Sequence, residues 1–119
     1  MTRRLIETPE PPYYAVIFTS RLSQTPEGYA EMAEEMDRLA KSQPGYLGRE
    51  LARGENGVGI TVSYWQDEAA IRSWKAVAKH RLAQKIGNER WYEEYELRVA
   101  KVERAYSGPR TVEDIKTEV

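Results

Sequence analysis

His80 is the only histidine in the sequence, and there is no cysteine. A single imidazole excludes a two-histidine metal site within one chain, and the lack of cysteine removes thiolate chemistry and disulfides, so no metal site is expected. Neutral imidazole, with a reference pKa of ~6.5, suits a general base or an iron ligand. No nucleophile elbow supports a Ser-His-Asp triad, and no glycine-rich phosphate loop is present. The carboxylates Glu34-Glu35 and Glu93-Glu94-Glu96 read as solvated faces or strand alternation. Lys75, Lys79, Arg81 and Lys85 are too sparse for a nucleic-acid footprint, although they could meet an acidic ligand or a partner subunit. Eight Tyr and three Trp stand beside one Phe. Amphipathic aromatics of this kind suit interfaces and ligand pockets, and equally the rim of an ordinary core.

The elements that must position these groups follow from patterning. At 119 residues, with 18 Lys plus Arg against 19 Asp plus Glu, the chain fits one globular domain of near-neutral charge. That balance argues against nucleic acid as the main partner. No apolar run approaches the ~20 residues of a membrane span, and a cytoplasmic address is the default expectation. Residues 1–12, with Pro9, Pro11 and Pro12, read as an extended arm; 13–106 form the domain; 107–119 form a polar tail.

Tyr13 to Ser20 is a strand with apolar residues on both faces, Ala15 and Ile17 on one and Tyr14, Val16 and Phe18 on the other. Thr25-Pro26-Glu27 is a helix start, and Met32, Ala33, Met36, Leu39 and Ala40 carry the helix to about 42, where Pro44-Gly45 stops it. Tyr46 to Arg53 and Val58 to Trp65 are strands joined by a Gly54–Gly57 hairpin turn. Gly59, Thr61, Ser63 and Trp65 share one face; its small residues leave room for a ligand or for a closely packed helix. Asp67 caps a second helix with the stripe Ala70, Ile71, Trp74, Val77 and Ala78, extending towards Gly87. If that helix runs straight, His80 lies more than about 90° from the stripe and faces solvent; only a break near 78–81 turns it inward. Tyr92 to Arg104 is the last strand, whose apolar phase shifts at Ala100, implying a bulge or cover on both faces.

The order β-α-β-β-α-β predicts an α+β, ferredoxin-like subunit with both helices on one side of an antiparallel sheet. Two helices cannot cover the other side, and a second copy of the chain is the simplest cover.

From Tyr13 to Tyr106 the sequence resembles the antibiotic biosynthesis monooxygenase domain family. The resemblance is carried by Ser20-Arg21-Leu22, Pro44-Gly45-Tyr46, the strand TVSYW at 61–65 and Trp65-Gln66-Asp67-Glu68-Ala69-Ala70-Ile71. Trp74, His80 and the ending WYEEYELRVAKVERAY at 91–106 complete it. It implies a homodimeric α+β barrel with a pocket between sheet and helices in each subunit. It further implies a monooxygenase without metal or flavin, in which a small aromatic or polyketide-like substrate loses a proton and its anion reacts with O2. His80 would be the base or donor, Trp74 and Trp65 the pocket wall, and Tyr14 or Arg98 polar anchors. The heme-degrading members supply the alternative: Trp74 matches their tryptophan, Ser20 stands where they carry Asn, and His80 falls about a turn early for their iron ligand. The competing class is a non-catalytic dimer that binds a small ligand in the same pocket.

Overall fold

The computed structural model describes residues 5–23, 28–86 and 91–108, without the side chains of 82–86. Six elements follow in order: β1 (Tyr13–Leu22), α1 (Tyr29–Lys41), β2 (Tyr46–Arg53), β3 (Val58–Trp65), α2 (Glu68–Ile86) and β4 (Tyr92–Val102). The strands form one antiparallel sheet in the order β2-β3-β1-β4, as the ferredoxin-like arrangement requires.

Both turns around β2 depend on glycine. Gly45 (φ +88°) brings the chain out of α1 so close to α2 that a Cβ there would sit 2.7 Å from that of Ala70. At the same corner Gln66 N–H donates to the Gly45 carbonyl at 2.8 Å. Gly57 (φ +86°) closes the β2–β3 hairpin. Asp67 caps α2 as expected, its Oδ1 accepting from Ala70 N–H at 2.8 Å. The expected Thr25-Pro26 start of α1 and the Gly87 end of α2 lie outside the described residues.

In an antiparallel pair, directly opposed residues share a face. Tyr14 opposes Trp65, Val16 opposes Ser63, Phe18 opposes Thr61 and Ser20 opposes Gly59. Val16 and Trp65 form the core with Ala40 of α1 and Ile71 of α2, which makes this the helix side of the sheet. Trp65 is fully buried; it stacks on Trp74 (centroids 6.0 Å, 20° between planes) and meets Tyr46 edge-on at 5.4 Å. Its indole N–H donates to Ser63 Oγ at 2.9 Å, so burial strands no polar atom. Ion pairs tie the helices in place: Arg81 of α2 to the buried Glu35 of α1 (2.7 Å), and Arg49 of β2 to Asp37 of α1 (2.6 Å).

The opposite side of the sheet is partly covered from within the chain. Thr8 of the extended arm donates to the Tyr13 hydroxyl at 3.0 Å, and Tyr13 packs edge-on against Tyr64. Ile6 reaches across to Gly48, where a Cβ would stand 3.3 Å from its terminal carbon. Tyr13 and Ala15 are buried there, whereas Val58 and Ile60, towards the other end, are 37% and 47% exposed. The phase shift expected in β4 is not a bulge at Ala100: pairing with β1 is continuous from Glu94 to Val102, and the register shift falls between Arg21 and Leu22. Ala100 and Val102 lie opposite Ala15 and Tyr13 on the arm-covered side, whereas Tyr95, Leu97 and Val99 face the helix side. The tail from Ser107 is described only to residue 108.

Because Trp65 joins sheet to both helices, Trp65→Ala is expected to lower unfolding free energy by about 3–5 kcal/mol. Leu51→Ala, at a position 56% exposed, is expected to change it by less than about 0.5 kcal/mol. Urea unfolding of both variants checks this contrast.

Candidate functional site

The helix side of the sheet grades from large to small along β3. Trp65 fills one end; Ser63, Thr61 and Gly59 follow towards the other. The helices make their close backbone approaches to β2, β3 and each other. At β4 the same side therefore stays open: Tyr95, Leu97 and Val99 are 65%, 45% and 47% exposed, although they face the side that carries the helices. Phe18, half-buried on β1, lies between this strip and the core and meets the rings of Tyr95 (5.5 Å) and Tyr92 (5.2 Å). The result is an apolar wall beside the helices, ended on one side by the Trp65–Trp74 stack.

Its other end is polar. Arg53, the last residue of β2, lays its guanidinium over Gly59; a Cβ on that glycine would stand 2.6 Å from Cζ. Arg53 Nη2 donates to Ser20 Oγ at 3.1 Å and to the Tyr29 hydroxyl at 3.5 Å, while Nη1 donates to the Gly57 carbonyl. Cζ also stands 5.8 Å from the Tyr29 ring centroid. Tyr29 meets Tyr92 edge-on, with ring centroids 5.7 Å apart. Burial, and after it the neighbouring Tyr29, pushes the Tyr92 phenol well above its ordinary range, so Tyr92 is neutral at physiological pH.

The expected site residues divide among four places. Trp65, Trp74 and Tyr14 come together in the packed core. Ser20 shares their side of the sheet but sits at the polar end, against Arg53. Arg98 lies opposite Ile17, on the side away from the helices, and pairs with Glu96 at 2.7 Å. His80 is exposed on an α2 that runs unbroken from Glu68 to Ile86. There it lines an open groove of about 510 Å³ between the helices, with Leu39, Ala76, Val77 and Arg81. Trp74 and His80 are six residues apart, which on a helix of 3.6 residues per turn is a divergence of about 120°.

Arg53, Tyr29 and Tyr92 are the residues that sequence reasoning missed. A signal existed: Arg53 follows Arg49 and Leu51 on one face of β2, and Gly59 on the neighbouring strand supplies the space a guanidinium needs.

A model of the antibiotic biosynthesis monooxygenase family matches residues 17–86. The chain belongs to that family. It is 53% identical over 100 residues to the uncharacterised Bacillus subtilis protein YqjZ, a match covering 84% of this chain and 88% of YqjZ. It is 27% identical over 96 residues to a jasmonate monooxygenase of Pyricularia oryzae, covering 79% of this chain and 39% of that longer protein. Among solved structures, the fold is shared with SnoaB, a cofactor-independent oxygenase from Streptomyces nogalater, at a TM-score of 0.57 and 13% identity, covering 86% and 98% of the two chains. It is shared also with MhuD, solved with two manganese protoporphyrin IX molecules per active site, at a TM-score of 0.61 and 17% identity, covering 80% and 99%. This member of the antibiotic biosynthesis monooxygenase family thus shares its fold with a cofactor-independent oxygenase and with a porphyrin-bound protein.

The raised phenols give this family member a testable alkaline behaviour. Tyr64, on the other side of the sheet, is pushed up to about 12 by burial and by its hydrogen bond to Glu50, and Tyr92 is raised further. Unfolded tyrosines ionise near 10, so above about pH 10 the native state holds more protons than the unfolded state and stability falls as pH rises. Urea midpoints measured across this range are expected to fall less steeply in Tyr92→Phe and Tyr64→Phe than in the wild type.

Proposed function

We propose that the protein is a cofactor-independent monooxygenase acting on a small aromatic or polyketide-like molecule bound along the helix side of β1 and β4. The observation that carries this reading is the wall of half-buried Phe18 with exposed Leu97 and Val99, set between an aromatic end and a cluster of hydroxyls around Arg53. An electron-rich phenol or anthrone laid on that wall loses a proton to solvent and gives a delocalised anion; a proton returns from solvent to the peroxide formed next. The anion transfers an electron to O2, the radical pair combines to a hydroperoxide, and loss of water leaves a carbonyl. One oxygen atom enters the substrate, the other leaves as water, and the substrate supplies the electrons. In this reading Trp74 and Trp65 close the apolar end with Tyr14, and Ser20 stands at the polar end. Positioning and donation to developing negative charge are what a protein contributes to such a step.

Heme fits these residues poorly. An iron-holding histidine and the tryptophan wall would have to face one site, yet His80 opens onto the helix–helix groove on another side of α2 from Trp74. Arg98 and His80 both lie outside the proposed cleft, and the reading gives them no role in it. Val58 and Ile60, left exposed beyond the arm, continue the apolar face of Ile17 and Val62 and are the surface on which we place a second copy of the chain.

An oxygen electrode and a thermal-shift assay, run on one panel of phenols and anthrones, test the function. O2 uptake by metal-free protein, retained in His80→Ala, is expected. Ligand-induced stabilisation without O2 uptake would mark a non-catalytic binder instead. A hemin titration is expected to give no saturable Soret shift that depends on His80; such a shift would restore the heme reading. Sedimentation at micromolar concentration is expected to give a dimer that Ile60→Glu dissociates.

A further inference from the structure

The side chains gathered at the polar end are a guanidinium and hydroxyls. Arg53 makes no ion pair among the described residues; its partners there are the Gly57 carbonyl, two hydroxyls and a ring face. Ser20, 3% exposed, accepts from Arg53, so its own hydroxyl proton has no acceptor among the described residues. Tyr29 accepts from Arg53, and its own hydroxyl proton has no acceptor among the described residues. A half-buried guanidinium thus sits beside two uncommitted hydroxyl protons, with no carboxylate paired to it among the described residues. Leaving such groups without an acceptor costs free energy, and an oxyanion satisfies them together. The planar guanidinium is the cation whose geometry best suits a carboxylate.

The apolar wall adds the second half of the ligand. Phe18 opposes Leu97, and Ser20, two residues on, opposes Tyr95, so the wall and the donor cluster adjoin on one face of β1. We infer that Arg53, Ser20 and Tyr29 form an anion seat for the carboxylate of an organic acid, whose aromatic or alicyclic body lies against Phe18, Leu97 and Val99. This rests on the cleft proposed above and narrows its ligands to acids, with the charged head held apart from the atoms that react.

Titration calorimetry near neutral pH with 2-naphthoate, its neutral counterpart 2-naphthamide and 2-naphthol tests the seat without relying on turnover. The wild type is expected to bind naphthoate at least about tenfold more tightly than the amide, as one desolvated charge pair allows. That preference should shrink as salt is raised. Arg53→Gln is expected to abolish the preference, and Arg53→Lys to keep part of it. Equal affinities in the wild type, or a preference that survives Arg53→Gln, would overturn the seat. Tighter binding of naphthol than of naphthoate would overturn the carboxylate and assign the seat to phenols. Amide binding without preference removes the anion seat alone, whereas failure of all three ligands at millimolar concentration removes the cleft with it. Oxygen uptake enters none of these outcomes, so the oxygenase reading stands or falls separately.

Discussion

The burial of Trp65 is the contact on which the remaining architecture depends. One side chain joins β3 to α2 through Trp74, to β2 through Tyr46, and to the sheet itself through Ser63. A residue of this volume at one end of the strand sets the helix–sheet spacing there. The small residues that follow on the same face do not fill that spacing further along. Packing is therefore dense at the tryptophan end, while the helix side of β4 stays apolar and exposed. A fold stabilised at one end by its core can hold an apolar wall open elsewhere, the general condition for a preformed ligand site.

Position along β1 then decides chemistry. Tyr14 and Val16 belong to the core, Phe18 to the wall, and Ser20 to the donor cluster, all on one face at two-residue spacing. Across the sheet Gly59 is what admits Arg53, because any side chain there would collide with the guanidinium. The cluster is thus a product of register: the end of β2, the start of β3 and the start of β4 meet where β1 ends. The same fold carries a cofactor-independent oxygenase in one neighbour and bound porphyrin in another. The distinction has to come from particular side chains.

Much of the scaffold was legible because its signals are local. Pro44-Gly45, the Gly54–Gly57 turn and the Asp67 cap mark chain reversals that need few distant contacts, and all three stand where the sequence puts them. The exposure of His80 also follows from helical arithmetic once α2 is unbroken. Arg53 was harder to find because a charged residue at a strand end reads as a solvated edge. Its inward position depends on the register between β2 and β3 and on an empty place over Gly59, both of them tertiary facts. The role of the arm was hidden similarly: Ile6 meets Gly48 across 42 positions of sequence, and nothing in a proline-rich lead announces which face of a sheet it will cross. Arg98 shares a strand with the apolar wall but, because side chains alternate along β4, faces the other way.

The central claim is that ligands occupy the helix side of β1 and β4 and not the groove between the helices. Amide proton–nitrogen spectra of the assigned protein, recorded during a titration with 2-naphthoate, test it most directly. The account predicts saturable shifts centred on Phe18, Ser20, Arg53, Leu97 and Val99, with Leu39, Ala76, Val77 and His80 unmoved. Shifts centred on Leu39, Val77 and His80, with β1 and β4 silent, would contradict it.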